Sequence, residues 1–297
     1  LSKKVTFDAV RSMKGRMWGR GTHENAFDAA RAARTWRVAL AALILGGCRA
    51  GSARESTEAA PPVTVASGLE DARAAVTSEV PHRHENTEAM GEAFDVDLFT
   101  FDLAVHRLEL VDLHATRDLA GAFASKSEAV FATNAGFFDE HDQPLGLSIS
   151  RGVRASLYSP TLSGGVLEVG HGRAELFETE SYDKGRSPEF AVQCRPRLVV
   201  RGHANVKRDD GKRAERTAVC LKRDGRELTF VIAKDAQRGP SLYALGHWLE
   251  KRGCDDALSL DGGPSTGAVY ASPSGTREIA LRGPIRQAIV VSRGHAP

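Results

Sequence analysis

The stretch ELTFVIAKDAQRGPSLYALGHWLEKRGCDDALSLDGG, residues 227–263, changes its hydrophobic period twice, and its reading sets the fold class. Glu227 to Ala233 is a nearly unbroken apolar run, rich in β-branched and aromatic side chains, as expected of a buried strand. After Gly239-Pro240, Ser241 stands as an N-cap. Leu242, Leu245, Trp248 and Leu249 then follow at helical spacing until Gly253 closes the helix. Ala257 to Leu260 is a compact strand that runs straight into Asp261-Gly262-Gly263. Strand, helix and strand in succession predict an α+β domain, a mixed β-sheet with packed helices.

Working outward, Phe99, Phe101, Leu103 and Val105 alternate with Thr100, Asp102, Ala104 and His106, which predicts a strand with one buried face. A short helix is expected around Arg117 to Ala124, and strands at Ala129–Thr133, Val166–Val169 and Ala288–Ser292. No internal repeat appears. Order is therefore expected from residue 94 to 294, roughly 200 residues in a single domain.

Upstream, Arg31, Arg34 and Arg37 precede a short apolar run, Val38 to Leu45, and then Gly46-Gly47-Cys48. The run is too short to span a bilayer but suits a signal peptide. Its end resembles the bacterial lipobox, in which the cysteine is lipidated. Residues 1–48 are thus expected to be leader and lipoprotein signal peptide, holding an exported protein to the cell envelope through a lipid on Cys48. Residues 49–93 are rich in Ala, Ser, Glu and Pro and read as a flexible tether, with His82 and His84 part of a solvated linker. The formal charge of +2 and the aromatic share of 6% give no support for nucleic-acid binding. Of the remaining thiols, Cys194, Cys220 and Cys254, two could pair in an oxidising compartment; their spacing does not suit zinc.

Three strand-end segments carry chemistry. Asn134-Ala135-Gly136-Phe137-Phe138-Asp139 offers an amide that can donate and accept, a glycine for close backbone approach, aromatics that can wall a sugar pocket, and a carboxylate. Read blandly, it is a turn with Asp139 as a cap. Asp261-Gly262-Gly263-Pro264-Ser265-Thr266 offers a carboxylate, successive backbone N–H groups for an anion nest, and two hydroxyls; a hairpin turn is the plain alternative. Arg216-Thr217-Ala218-Val219 adds a guanidinium whose planar fork matches phosphate.

Read in order, Asn134-Ala135-Gly136-Phe137-Phe138, Leu145-Gly146, Gln193 with Pro196-Arg197-Leu198-Val199, Arg216-Thr217-Ala218-Val219 and Leu260-Asp261-Gly262-Gly263 with Ser265-Thr266 resemble the phosphodiester glycosidase family. The resemblance spans residues 94 to 294. It implies a hydrolase that cleaves between a sugar's anomeric carbon and a phosphodiester oxygen, with a carbohydrate phosphodiester as its partner; no cofactor or metal is expected, since no clustered ligand set stands in the sequence. On that basis Asp261 is the base or nucleophile and Asp139 the second carboxylate. Arg216 holds the phosphate with the N–H groups of Gly262 and Gly263 and the hydroxyl of Ser265 or Thr266. Asn134 orients sugar hydroxyls, and Gly136, Phe138, Gln193 and Thr217 complete the substrate contacts.

The chain departs from the family pattern at Ser259, where asparagine is usual, and at Pro264, which replaces a third glycine and removes a backbone N–H. Cys220 follows Arg-Thr-Ala-Val where glycine is common, and Cys194-Arg195 replace small residues before Pro196, which makes Cys194 and Cys220 candidates for a disulfide. Two other classes of function remain: an envelope lipoprotein that binds glycan without turnover, and a metal-dependent phosphodiesterase, which the lack of a clustered His/Asp set disfavours.

Overall fold

The computed structural model describes residues 80–114, 118–234 and 239–294. The leader, Cys48 and the tether as far as residue 79 lie outside the described residues. Among the described residues, three sheets make up the fold. The first has the order β1 (His82–Ala89), β2 (Glu92–Asp102), β13 (Glu227–Lys234), β12 (Arg216–Leu221), β14 (Asp256–Ser259), β10 (Arg197–Val200), β11 (His203–Ala204). The second runs β16 (Gly275–Ile279), β15 (Ala268–Ser272), β4 (Ala129–Asn134), β17 (Gln287–Arg293), β3 (His106–Asp112). The third runs β6 (Val153–Ser156), β5 (Ser148–Ser150), β9 (Phe190–Cys194), β7 (Gly165–Gly170), β8 (Arg173–Glu178).

The expected α+β class, with a mixed sheet and packed helices, is corrected by this arrangement. The described residues are 48% strand and 11% helix, a β-rich fold. Their strand pairings are antiparallel throughout, from β1 with β2 to β7 with β9. The two α-helices, α1 (Leu119–Ala124) and α2 (Leu242–Lys251), are single covers on outer faces. Local helix signals were sound: Asp118 caps α1, and the Ser241 hydroxyl accepts the Ala244 N–H at 3.0 Å. What local periodicity lacks is the pairing partner of each strand, and pairing is what separates antiparallel β-layers from a mixed sheet.

All three sheets face one core, in which Phe99, Phe101 and Phe230 of the first meet Phe131 and Ile289 of the second and Leu167 and Phe190 of the third. The outer face of the first sheet is buried by α2 through Leu245, Trp248 and Leu249, and that of the second by α1 through Leu119 and Ala122. Strands with two covered faces read as continuous apolar runs, which is why β13 and β17 were visible in the sequence.

The tether ends earlier than expected. Its last part forms β1, paired along its length with β2 from His82↔Phe99 to Ala89↔Glu92, and a tight turn at Met90-Gly91 with positive φ at both residues joins the two. β1 is an edge strand with mostly exposed side chains, so it carries no apolar alternation to betray it. The expected strand across Phe99–His106 is instead two: β2 stops at Asp102, the chain turns, and Val105 is exposed.

Candidate active site

β14 ends at Ser259, and the segment after it is clamped to the end of β4. Asp261 donates its N–H to the Ala135 carbonyl at 3.2 Å, and Asn134 Nδ2 donates to the Asp261 carbonyl at 2.7 Å. Asn134 Oδ1 accepts the Thr217 hydroxyl at 2.7 Å, so one fully buried amide ties β4, β12 and the Asp261 loop together. The Asp261 carboxylate accepts the Gly262 N–H at 2.8 Å, and the Ser265 hydroxyl lies between it and the Pro284 carbonyl, donating to one at a time. Burial raises the Asp261 pKa above its ordinary 3.8 against the opposing pull of those two hydrogen bonds. Such a carboxylate is a better base than an exposed one.

Arg216 begins β12 beside this loop. A side chain at Gly262 would start 3.0 Å from the Glu215 carbonyl and 3.8 Å from Arg216 Cδ, so the loop packs closely on the start of β12 and a larger residue there would push the Glu215 backbone back. The guanidinium donates to the carbonyls of Pro240 (Nε, 3.1 Å) and Lys212 (Nη2, 2.9 Å). Among the described residues no carboxylate comes within ion-pair distance of it. Burial lowers its pKa, with Asp210 and Glu92 opposing. A fixed, partly desolvated guanidinium at the start of β12, and a partly desolvated carboxylate on the loop that packs against that strand end, are groups suited to an anionic substrate.

Residues 127–292 match the family model described as phosphodiester glycosidase. The chain belongs to the phosphodiester glycosidase family. Among solved structures it is similar to the zebrafish N-acetylglucosamine-1-phosphodiester alpha-N-acetylglucosaminidase catalytic domain auto-inhibited by its pro-peptide, with TM-score 0.56 and 16% identity over 73% of this chain and 84% of that one. A hypothetical protein from Synechocystis aligns with TM-score 0.48 and 17% identity over 72% of this chain, which spans 62% of that one. At these identities the likeness to solved structures is one of fold. No curated protein matches the chain.

The remaining residues of the family motifs divide sharply. Gln193, expected to touch substrate, is fully buried with every polar atom spent: Oε1 accepts from Leu147 and Ser159 N–H, and Nε2 donates to the Ser159 and Leu162 carbonyls. It braces two loops and has nothing left for a ligand. Thr217 is likewise buried, its hydroxyl spent on Asn134. Asn134 itself is a brace, not the expected holder of sugar hydroxyls. Gly136 is buried against β9, where a side chain would begin 3.7 Å from Cys194 Sγ. Phe138 is partly exposed and bridges to Pro144.

Asp139 is a turn cap: its Oδ1 accepts the His141 and Gln143 N–H groups at 2.9 and 2.8 Å. The expected anion nest is closed as well, because Gly262 N–H turns to the Asp261 side chain and Gly263 N–H to the Glu215 carbonyl at 2.7 Å. Thr266 is fully buried, and its hydroxyl finds no partner among the described residues.

The disulfide joins Cys220 to Cys254, not to Cys194. Cys220 points to the outer face of the first sheet, where α2 ends, whereas Cys194 is in the inner core on β9. The Cys194 thiol is buried, and its pKa is pushed up first by that burial and then by the nearby Asp261 charge. Sequence reasoning missed Glu215, a buried carboxylate held by Arg282 at 3.0 Å with Lys234 at 3.9 Å. Its position directly before Arg216 was the one available signal.

Proposed function

We propose that this member of the phosphodiester glycosidase family is an exported hydrolase that splits the bond between a sugar anomeric carbon and a phosphodiester oxygen. The observation that carries this reading is the placing of Asp261 and Arg216: a partly desolvated carboxylate on the loop after β14, and at the start of β12, against which that loop packs, a guanidinium with no carboxylate at ion-pair distance among the described residues. In the reaction the anomeric C–O bond breaks, its electron pair leaves with the phosphate, and the carbon gains a water oxygen. A phosphate monoester is a good leaving group, so the need for a strong general acid is small, and charge stabilisation carries more of the barrier. Arg216 balances the charge that builds on the departing phosphate. Asp261 acts as base towards water or as nucleophile at the anomeric carbon, held in place by Asn134 through its own carbonyl.

A second reading, glycan binding without turnover, draws its support from Gly262 and Gly263, whose N–H groups are already spent within the loop. The deciding experiment gives the purified protein a panel of sugar-1-phosphodiesters and follows release of reducing sugar, with Asp261→Asn in parallel. Release that disappears in the variant supports the hydrolase. A folded wild-type protein that binds members of the panel and releases nothing sinks the hydrolase and favours the binding protein. The location belongs to the same proposal: Cys48 is the lipidated residue of an envelope protein, and Cys48→Ser should release it from membranes into the soluble fraction.

A further inference from the structure

Resting on that reading, we propose that Glu92 is a positioning residue for the phosphate-holding guanidinium: it clamps together the two loops whose carbonyls aim Arg216.

The Arg216 guanidinium lies against backbone carbonyls from two separate loops, Nε donating to Pro240 at 3.1 Å and Nη2 to Lys212 at 2.9 Å. Bonds from two different nitrogens of one rigid plane fix where that plane points. Nη1 makes no hydrogen bond among the described residues, and it is the group left for a phosphate oxygen. The aim of Arg216 is thus set by the placing of those two carbonyls.

Both loops meet at Glu92. This buried residue opens β2 and, with Phe94 and Val96, lies on the α2-covered face of the first sheet, the face that Arg216 shares with Ala218. Its Oε2 accepts the Ser241 N–H at 2.8 Å, and its Oε1 accepts the Ser241 hydroxyl at 2.7 Å. The same Oε1 pairs with the Arg213 guanidinium, which balances the charge of Glu92. The Ser241 N–H and the Pro240 carbonyl belong to one planar peptide unit, so Glu92 grips one side of it while Arg216 is held by the other. A carboxylate on the N–H polarises that carbonyl and strengthens its bond to Arg216. Arg213 likewise follows Lys212 directly, and so ties the second carbonyl to the same carboxylate. The loops also touch at Gly239, where φ is positive and a side chain would begin 2.5 Å from the Ala214 carbonyl.

The electrostatics agree with this geometry. Burial lowers the Arg216 pKa, and the charges of Asp210 and then Glu92 oppose it. Asp210 is turned to Lys212, whose N–H it accepts at 3.1 Å and whose ammonium stands 3.6 Å away. Glu92 acts on Arg216 without forming an ion pair with it, so the guanidinium charge stays open to substrate.

Two readouts on the full chain test this. Glu92→Gln keeps the size of the side chain and removes its charge, and Arg213→Met cuts the Lys212 side alone, from an exposed position. With a sugar-1-phosphodiester substrate, Glu92→Gln should lower kcat/KM roughly 10-fold or more, and the fall should vanish in an Arg216→Lys background, where nothing is left to aim. A fall of the same size in both backgrounds, or none, overturns the proposal. The second readout needs no turnover: hydrogen exchange of the Arg216 Nε–H by NMR, its signal identified by its loss in Arg216→Lys. Glu92→Gln should speed that exchange roughly 10-fold or more and leave the Arg186 Nε–H, held by Glu168, as in wild type. Exchange unchanged at Arg216, or raised equally at Arg186, overturns the proposal. If Glu92→Gln does not fold, Arg213→Met decides by the same two readouts, with changes in the same direction. If the wild type turns nothing over, or Arg216→Lys is as fast as wild type, the hydrolase reading fails while exchange still decides whether Glu92 aims Arg216.

Discussion

Asn134 and Asp261 stand at facing strand ends and look equally functional in the sequence, yet their surroundings treat them in opposite ways. Asn134 is fully buried and spends its amide on the Asp261 carbonyl and the Thr217 hydroxyl. Asp261 keeps a carboxylate that is partly exposed and raised in pKa by burial. Gln193 belongs with Asn134, every polar atom used, and Arg216 with Asp261, its guanidinium bonded to two carbonyls and to no carboxylate among the described residues. A family motif thus mixes two kinds of residue. One kind holds the loops at their positions, and the other is left unsatisfied so that substrate can complete it.

If this division is right, the two kinds fail differently when substituted. The largest effect should come from Asp261→Asn: kcat should fall by about 10³-fold or more, since a group that acts only in the chemical step is removed. The fold should not suffer. Because the folded state raises this carboxyl's pKa, its charged form opposes folding, so stability from this group is fully present below about pH 3.8 and declines as pH rises through the folded pKa. Thermal melts should therefore show the variant at least as stable as wild type at pH 7, with the difference vanishing in acid. A variant that melts well below wild type at pH 7 would put Asp261 among the braces.

Breaking the disulfide should cost about 4 kcal/mol by loop entropy alone, since Cys220 and Cys254 close a loop with sequence separation 34. Urea unfolding of the double serine variant measures this, and an unchanged midpoint would mean the outer face is held by α2 packing instead. Asn134→Ala should come next, at about 3 kcal/mol, because it strands a buried hydroxyl and a carbonyl. Its kcat should fall too, as the Asp261 loop loses its clamp. Full stability with lost activity would instead restore Asn134 to substrate contact. The smallest effect belongs to Asp139→Ala, about 1 kcal/mol from a lost turn cap. A collapse of kcat in that variant would restore Asp139 as the second carboxylate of the reaction.

How far the sequence could be read depended on the kind of signal. α2 was fully legible, with Ser241 and Gly253 at its ends, because caps are local chemistry. β13, β4 and β17 were legible because two covered faces leave continuous apolar runs. β1 was not, since an edge strand with an exposed face needs no apolar pattern. The family was legible through motifs in order, but the roles within them were not. Nothing near Gln193 in the chain shows that its four partners come from Leu147, Ser159 and Leu162.

The helix caps, the buried strands, the family and the choice of Asp261 and Arg216 as the groups worth watching can all be read from the residues alone. These rest on short-range periodicity and on side-chain chemistry that is present before the chain folds. The folded chain was needed to show that the layers are antiparallel β-sheets around one core and that Cys254, not Cys194, takes Cys220. It alone closed the glycine N–H groups, made Asp139 a cap, and set Glu215 and Arg282 beside the reacting loop. Each of those outcomes depends on which distant segment arrives next to which polar group, and a hydrogen bond or ion pair has no value until its partner is there.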